Sequence, residues 1–114
     1  MIWDYLGHQI DEGMKPRDEN FNDDYYQYFF IVKRDNEKKF KFCIWAKIDM
    51  LESDPSMAEE TRETGHKIPE SIYRTAHARV MEKIEKEDFE NCLLEYDENG
   101  LNELRLDEMN EKKV

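Results

Sequence analysis

The side chains that could bind a metal ion are few and lie far apart in the sequence. His8 and His66 occur in two similar tetrapeptides, GHQI and GHKI, and Asp11 follows His8 by three residues. Zinc sites need three or four converging ligands, and no HExxH or CxxC motif supplies them. The spacing therefore predicts no metal site. His77 falls at the edge of a helical stripe, so we expect it to be half-buried with one nitrogen satisfied.

Residues that could catalyse a reaction are equally scattered. Cys43 and Cys92 have no neighbouring histidine in the sequence, and two such cysteines suit free structural thiols in a reducing compartment, which predicts a cytoplasmic location. The stretch from Glu37 to Lys39, with Asp23 and Asp24 upstream, matches the acid-x-lysine spacing of metal-dependent nucleases. Glu37 is expected at a hairpin tip, however, where solvent would compete for the ion. The sequence thus predicts no enzyme and no cofactor.

Charge is the main functional signal in this chain. It has 28 acidic and 17 basic residues, a formal net charge of -11, and the acids concentrate in residues 1–24 and 90–114. Such a charge attracts basic partners and repels nucleic acids and anionic lipids. The leading hypothesis is a small, acidic, non-enzymatic interaction module that binds a basic protein partner. Its candidate contacts are Asp18, Glu19, Asp23, Asp24, Glu98, Asp107 and Glu108.

Two stretches of alternating residues predict a central β-hairpin. Residues 25–33 and 38–50 both alternate with a period of two and are rich in aromatic and β-branched side chains. An odd loop, Asp35 to Glu37, would place Val32 opposite Phe40 and Lys33 opposite Lys39. One face of the hairpin is then apolar, and the other carries lysines around an aromatic centre.

The lysine-bearing face of this hairpin gives the alternative hypothesis, which is binding of single-stranded nucleic acid. Bases would stack on the aromatic rings while ammonium groups contact phosphates. The candidate residues are Phe29, Lys39, Lys41, Trp45 and Lys47. Two other interpretations stay open: the face is covered by the N-terminal strand or a short helix, with lysine stems along its edge, or it forms a homodimer.

The remaining segments predict one helix and a second hairpin. Tyr73, Ala76, Val80 and Ile84 form a helical stripe after Pro69, in a helix of about twenty residues. Residues 92–106 predict a hairpin with a three-residue loop, Glu98 to Gly100, that pairs Leu94 with Leu104 and Cys92 with Leu106. A helix from Leu101 to Met109 is the rival interpretation of that segment.

These elements predict one α+β domain spanning residues 1–114. Its antiparallel sheet would have four to five strands, built from two hairpins and an N-terminal strand, with one long helix on one face. Residues 11–24 and 52–66 are expected to be surface loops or a short helix, and residues 108–114 a frayed tail. No apolar run of 18 residues and no secretory signal is found, so no membrane association is expected.

Overall fold

The computed structural model describes residues 1–17, 19, 21–63 and 67–105. Within these residues the fold is α+β, as expected, but with more elements than the sequence predicted. The single sheet has six strands in chain order: β1 (Ile2–Tyr5), β2 (His8–Met14), β3 (Tyr25–Arg34), β4 (Glu37–Lys47), β5 (Cys92–Asp97) and β6 (Gly100–Arg105). Three helices separate β4 from β5: α1 (Ile48–Ser53), α2 (Pro55–Glu63) and α3 (Glu70–Glu85).

The central hairpin has the predicted facing residues but a different turn. Val32 lies opposite Phe40, as predicted, whereas Lys33 lies opposite Lys38 rather than Lys39. The loop is a two-residue turn, Asp35 and Asn36, with positive φ at both positions (53° and 65°). A β-bulge after Val32 supplies the extra residue that the odd loop was expected to supply. The prediction of a three-residue loop was therefore wrong.

The N-terminal segment forms a hairpin instead of one strand. β1 and β2 pair on either side of Leu6 and Gly7, both of which have positive φ. This conformation is the one that two-residue hairpin turns require. β2 continues from Asp11 to Met14, which the sequence had placed in a loop. These residues form a strand because they pair with β3 on the side away from β4.

The chain leaves the sheet earlier than the alternating pattern suggested. β4 ends at Lys47, so Ile48 and Met50 belong to α1 and not to the strand, and α1 buries Leu51 against the core. In the predicted way, Asp54 caps α2 by accepting a hydrogen bond from the Ser56 amide at 3.0 Å. α3 begins after Pro69 and has 16 residues rather than about twenty.

The sheet is mostly antiparallel, but β4 and β5 run parallel. The predicted all-antiparallel sheet was wrong at this pair. The β5–β6 turn also differs from its prediction, because it has two residues, Glu98 and Asn99. Leu94 therefore lies opposite Glu103, and Leu93 lies opposite Leu104. Leu93 and Leu94 lie on opposite faces of the sheet, and both are buried. The hydrophobic pattern therefore does not select one register of β5 over the other.

The helices cover one face of the sheet. Ile72, Ala76, Val80 and Ile84 of α3 pack with Leu51 of α1 on the side where the strands contribute aromatic and aliphatic residues. A second, smaller cluster of Cys43, Trp45 and Leu93 lies on the opposite face, which we call the open face. No helix in the described residues is long and apolar enough to cross a membrane.

Candidate functional site

Acidic side chains from three separate stretches meet at one end of the sheet. β3 begins at this end, β4 ends there, and the β5–β6 turn joins them because β5 runs parallel to β4. The carboxylates at this end belong to residues just before β3, just after β4, and at the end of β5 and in the turn that follows it. We call this group the acidic end; its members are Asp23, Asp24, Asp49, Asp97 and Glu98.

Hydrogen bonds fix the backbone and side chains of the acidic end. The Ile48 amide donates to the Asp24 carbonyl at 3.0 Å, which joins the start of β3 to the start of α1. Lys47 Nζ lies 2.9 Å from Glu98 Oε2, and this hydrogen bond lowers the pKa of the Glu98 carboxyl and raises that of Lys47. This exposed pair connects the end of β4 to the β5–β6 turn.

The carboxylates of the acidic end also act on Tyr25, the first residue of β3. Burial raises the pKa of its hydroxyl, Lys47 opposes that shift, and Asp97, Glu98 and Asp24 add to it. Carboxylates from the beginning of β3 and from the β5–β6 turn are thus near enough to act on the same hydroxyl. A cation placed beside Tyr25 would interact with all three.

The structure brings together only some of the residues predicted to bind a partner. Asp23, Asp24 and Glu98 belong to the acidic end and are exposed, whereas Glu19 is exposed in the segment between β2 and β3. Asp18, Asp107 and Glu108 lie outside the described residues. Asp49 and Asp97 were missed by sequence reasoning. Asp49 had been assigned to a strand, and the position of Asp97 depends on the β5–β6 turn.

Within the part of the chain that the structure describes, two of the five carboxylates have basic neighbours. Arg17 Nη1 lies 2.5 Å from Asp23 Oδ1, and both side chains are more than two-thirds exposed. Glu98 is paired with Lys47. Such surface ion pairs contribute about 0–1 kcal/mol, so a basic partner can replace them at little cost.

The open face contains the residues of the alternative hypothesis. Trp45 is 5% exposed and packs with Cys43 and Leu93, with the ring of Tyr25 at a centroid distance of 5.2 Å. Phe29 is half-buried against the same cluster. A base stacks on an exposed ring face, and Trp45 presents almost none. Its burial therefore counts against a nucleic-acid platform on this face.

The lysines predicted for the open face are residues of β4. Burial raises the pKa of the Cys43 thiol, and the charges of Lys41, Lys38 and Lys15 partly oppose that shift. Lys39 Nζ lies 3.7 Å from Glu37 Oε2. Lys47 points to Glu98 at the acidic end. Lys39 and Lys47 thus lie beside carboxylates near the two ends of β4, and Trp45 between them is buried.

The carboxylates considered for a nuclease site do not converge. Asp24 precedes β3 and Glu37 follows it, so the ten residues of β3, at about 3.3 Å each, separate the proposed nuclease carboxylates by roughly 30 Å. His8 is buried and its Nδ1 lies 3.1 Å from the Leu6 carbonyl oxygen. In the described part of the chain, no three His, Cys, Asp or Glu side chains are placed to hold a metal ion.

A buried carboxylate on β2 was not anticipated from the sequence. Glu12 is 1% exposed and accepts hydrogen bonds from Trp3 Nε1 at 2.6 Å, Tyr28 OH at 2.6 Å and Tyr73 OH at 2.5 Å. Burial, and then the hydrogen bond to Glu12, raise the pKa values of both tyrosines. His77 is half-buried, as predicted, and its ring stacks on Trp3 at 4.5 Å. We call Glu12 and its three donors the Glu12 network.

A polar cleft of about 320 Å³ lies between α3 and β6. Its charges are matched, because Arg79 binds both carboxylate oxygens of Glu103 at 2.8 Å and Arg105 lies 3.3 Å from Glu90. Beneath it, Lys83 is 1% exposed and lies 3.2 Å from Asp88, in an ion pair without hydrogen-bonding geometry. The balance of charges gives this cleft no preference for an anion or a cation.

Comparison with known proteins identifies no relative: no family model, no curated protein and no solved structure matches the chain. The side chains described above are therefore the basis for a functional proposal. Among the described residues, the acidic end is the candidate site, because it brings exposed acids that the sequence singled out, Asp23, Asp24 and Glu98, to one end of the sheet.

Proposed function

We propose that the protein is an interaction module whose acidic end binds a basic segment of a protein partner. The observation that supports this proposal is that Asp24, Asp97 and Glu98 lie at the same end of the sheet, since Tyr25 pairs with Lys47, Ala46 pairs with Tyr96, and Lys47 contacts Glu98. These acids come from two stretches some seventy positions apart in the chain. The net charge of -11 adds a long-range attraction for basic partners.

The expected mode of binding is an exchange of ion pairs at a solvent-exposed surface. Lysine or arginine side chains of the partner would displace Lys47 from Glu98 and Arg17 from Asp23. Because these contacts are exposed, they would accelerate encounter and select the partner more than they raise affinity. Binding should weaken as salt rises, since the screening length is about 8 Å at physiological ionic strength.

A pair of charge-matched variants tests this proposal. The first variant combines Asp23→Asn, Asp24→Asn and Glu98→Gln, all exposed at the acidic end. The control combines Asp4→Asn, Glu59→Gln and Glu87→Gln, which removes the same charge from other exposed sites. Immobilised wild type and control should retain the same basic proteins from native extract at low salt, and the first variant should lose them.

Two results would contradict the proposal. One is the absence of any retained protein above background at low salt. The other is equal loss from both variants, because binding would then depend on net charge and not on the acidic end. Titration of the tryptophan fluorescence with single-stranded oligonucleotides tests the alternative hypothesis separately, and light scattering across protein concentrations tests self-association through the open face.

A further inference from the structure

The first four strands present acids on one half of the open face and lysines on the other half. The β1–β2 half carries Asp4 and Asp11, and the β3–β4 half carries Lys33, Lys38 and Lys41. Strand pairing arranges these residues in two rows across the sheet. One row consists of Ile2, Asp11, Ile31 and Lys41. The next row consists of Asp4, Gln9, Lys33 and Lys38.

The alternation of side chains along the strands places both rows on the open face. Ile10 and Glu12 are buried on the face that the helices cover, so Asp11 between them points to the open face. Phe30 and Val32 are buried on the covered face in the same way. The odd-numbered residues of β3, and the residues paired with them, therefore belong to the open face.

The charges in these two rows are not matched within the chain. Among the described residues, none of the five charged side chains makes an ion pair. Lys33 moreover lies directly opposite Lys38, and like charges in that arrangement destabilise a sheet. Acidic side chains of another molecule would relieve this repulsion.

Apolar side chains lie between the charges. Ile2 is 62% exposed, although it belongs to a strand, and Ile31 in the same row is partly exposed. Phe29 follows in the next row toward the small buried cluster of the open face and is also partly exposed. The surface therefore offers apolar contact at its centre and charges of both signs around it.

A surface with acids on one half and bases on the other is complementary to a second copy of itself. A two-fold axis parallel to the strands, between β2 and β3, would place the β1–β2 half of each copy over the β3–β4 half of the other. Asp4 and Asp11 would then face the three lysines of the second copy, and this arrangement would occur twice. A partner of uniform charge would match only one half.

We propose that this part of the open face joins two copies of the chain in a weak homodimer. Four strands spaced about 4.8 Å apart, and about seven residues long at 3.4 Å each, cover about 450 Å² per copy. The total of about 900 Å² is at the low end for a specific interface, and the net charge of -11 on each copy opposes association. The dimer should accordingly have a Kd of about 100 µM.

Reciprocal charge reversals test this proposal by sedimentation of the full chain. Asp4→Lys with Asp11→Lys makes both halves basic, and Lys33→Glu with Lys41→Glu makes both halves acidic. Each variant alone should dimerise at least about tenfold more weakly than wild type, because like charges then face each other. An equimolar mixture should form a heterodimer with an affinity within about threefold of the wild-type value, because every acid again faces a base.

A control separates local complementarity from net charge. Glu52→Lys with Glu59→Lys changes two exposed residues of α1 and α2, away from the open face. It raises the net charge of -11 by four, as the reversal of Asp4 and Asp11 does. If net repulsion alone governed association, both variants would dimerise more tightly than wild type. The proposal predicts that the control does so and that the reversal of Asp4 and Asp11 does not.

Any of three results overturns the proposal. These are a wild-type chain that stays monomeric at about 1 mM, a reversal of Asp4 and Asp11 that dimerises as tightly as the control, and a mixture of the two reversals that stays monomeric. If circular dichroism shows a reversal variant to be unfolded, Asp4→Asn with Asp11→Asn replaces it. This neutral variant should weaken the dimer about fivefold, and an unchanged affinity would overturn the proposal as well.

The homodimer does not depend on the proposed binding of a basic partner. None of these variants changes Asp23, Asp24 or Glu98 at the acidic end. Loss of the protein partner from the acidic-end variant would leave the sedimentation results unchanged, so the two proposals can fail separately.

Discussion

The Glu12 network predicts that one carboxylate controls much of the stability of this fold. Glu12 lies on β2 and is 1% exposed, and its three donors come from β1, β3 and α3. Burying a charge is costly unless hydrogen bonds replace its hydration, and here three neutral donors do so. Replacing Glu12 should therefore weaken the contact between the N-terminal hairpin, the central strands and the long helix.

The expected magnitude follows from the bonds that each variant loses. Glu12→Ala leaves the donors of Trp3, Tyr28 and Tyr73 without this acceptor. At about 1–3 kcal/mol for a fully buried donor such as Tyr28, and less for the half-buried Trp3 and Tyr73, the loss is about 3–5 kcal/mol. Glu12→Gln keeps an oxygen for the two tyrosines but turns an amide NH₂ toward Trp3, which should cost about 2 kcal/mol.

A double-mutant cycle separates this network from general damage to the core. In wild type, Tyr73→Phe removes a hydrogen bond to a charged group and should destabilise by about 1.5–3 kcal/mol. In the Glu12→Ala background the same change removes a half-buried hydroxyl that has lost this acceptor, so it should be close to neutral. Urea unfolding followed by circular dichroism measures both values.

The control for this cycle is Tyr26→Phe, on the same strand and face as Tyr28. Among the described contacts its hydroxyl has no bond to Glu12, so its effect should be the same in both backgrounds within about 0.5 kcal/mol. The account of the network is refuted if Tyr73→Phe costs as much without Glu12 as with it.

Three further predictions concern pH, a buried ion pair and a turn. Burial first, and then Glu12, raise the pKa values of Tyr28 and Tyr73 in the folded state. The free energy of unfolding should therefore be unaffected by these tyrosines below about pH 10. Above that pH it should fall by up to about 1.4 kcal/mol per pH unit for each tyrosine. Urea midpoints across alkaline pH measure this fall, which Tyr28→Phe should reduce; a flat profile would contradict it. Asp88→Asn should destabilise the fold by about 3 kcal/mol, because it leaves the Lys83 charge buried without its partner. Lys83→Met should be nearly neutral, since the partly exposed Asp88 can be hydrated. Equal losses of stability in thermal unfolding would be inconsistent with this difference. Asn36→Gly should stabilise the fold by about 0.5 kcal/mol, because residue 36 has a positive φ of 65°, which glycine adopts readily. Asn36→Val should destabilise the fold by more than that amount. The reverse order of urea midpoints would exclude the assigned turn.

The central hairpin shows what the hydrophobic pattern can and cannot determine. A one-residue shift would bring Val32 opposite a lysine, so the pattern fixes the facing residues of β3 and β4. It does not fix how the chain achieves that register. Asp35 and Asn36 tolerate the left-handed conformation of a tight turn, and a bulge near Lys38 restores the parity. The sequence pattern therefore predicts the pairing and leaves the loop length undetermined.

Glu12 could not have been found by the same method. A glutamate between Asp11 and Gly13 in an acidic stretch is typical of a solvated loop, and its donors lie up to 61 positions away in the sequence. Its burial depends on β2 pairing with β3, which places Glu12 opposite Phe30 on the covered face. The only local signal is the spacing of His8, Ile10 and Glu12, which share the alternation of a strand.

The acidic end depends on a chain direction that the sequence pattern did not specify but that geometry requires. α3 crosses the sheet once and returns the chain to the end of the sheet where β4 begins. A strand that starts there and pairs with β4 must run parallel to it. β5 consequently finishes where β4 finishes, and its turn carries Glu98 to Lys47. An antiparallel β5 would have placed Asp97 and Glu98 near Asp35, at the far end of β3 from Asp24. The candidate surface exists because a single helical crossing separates the two hairpins.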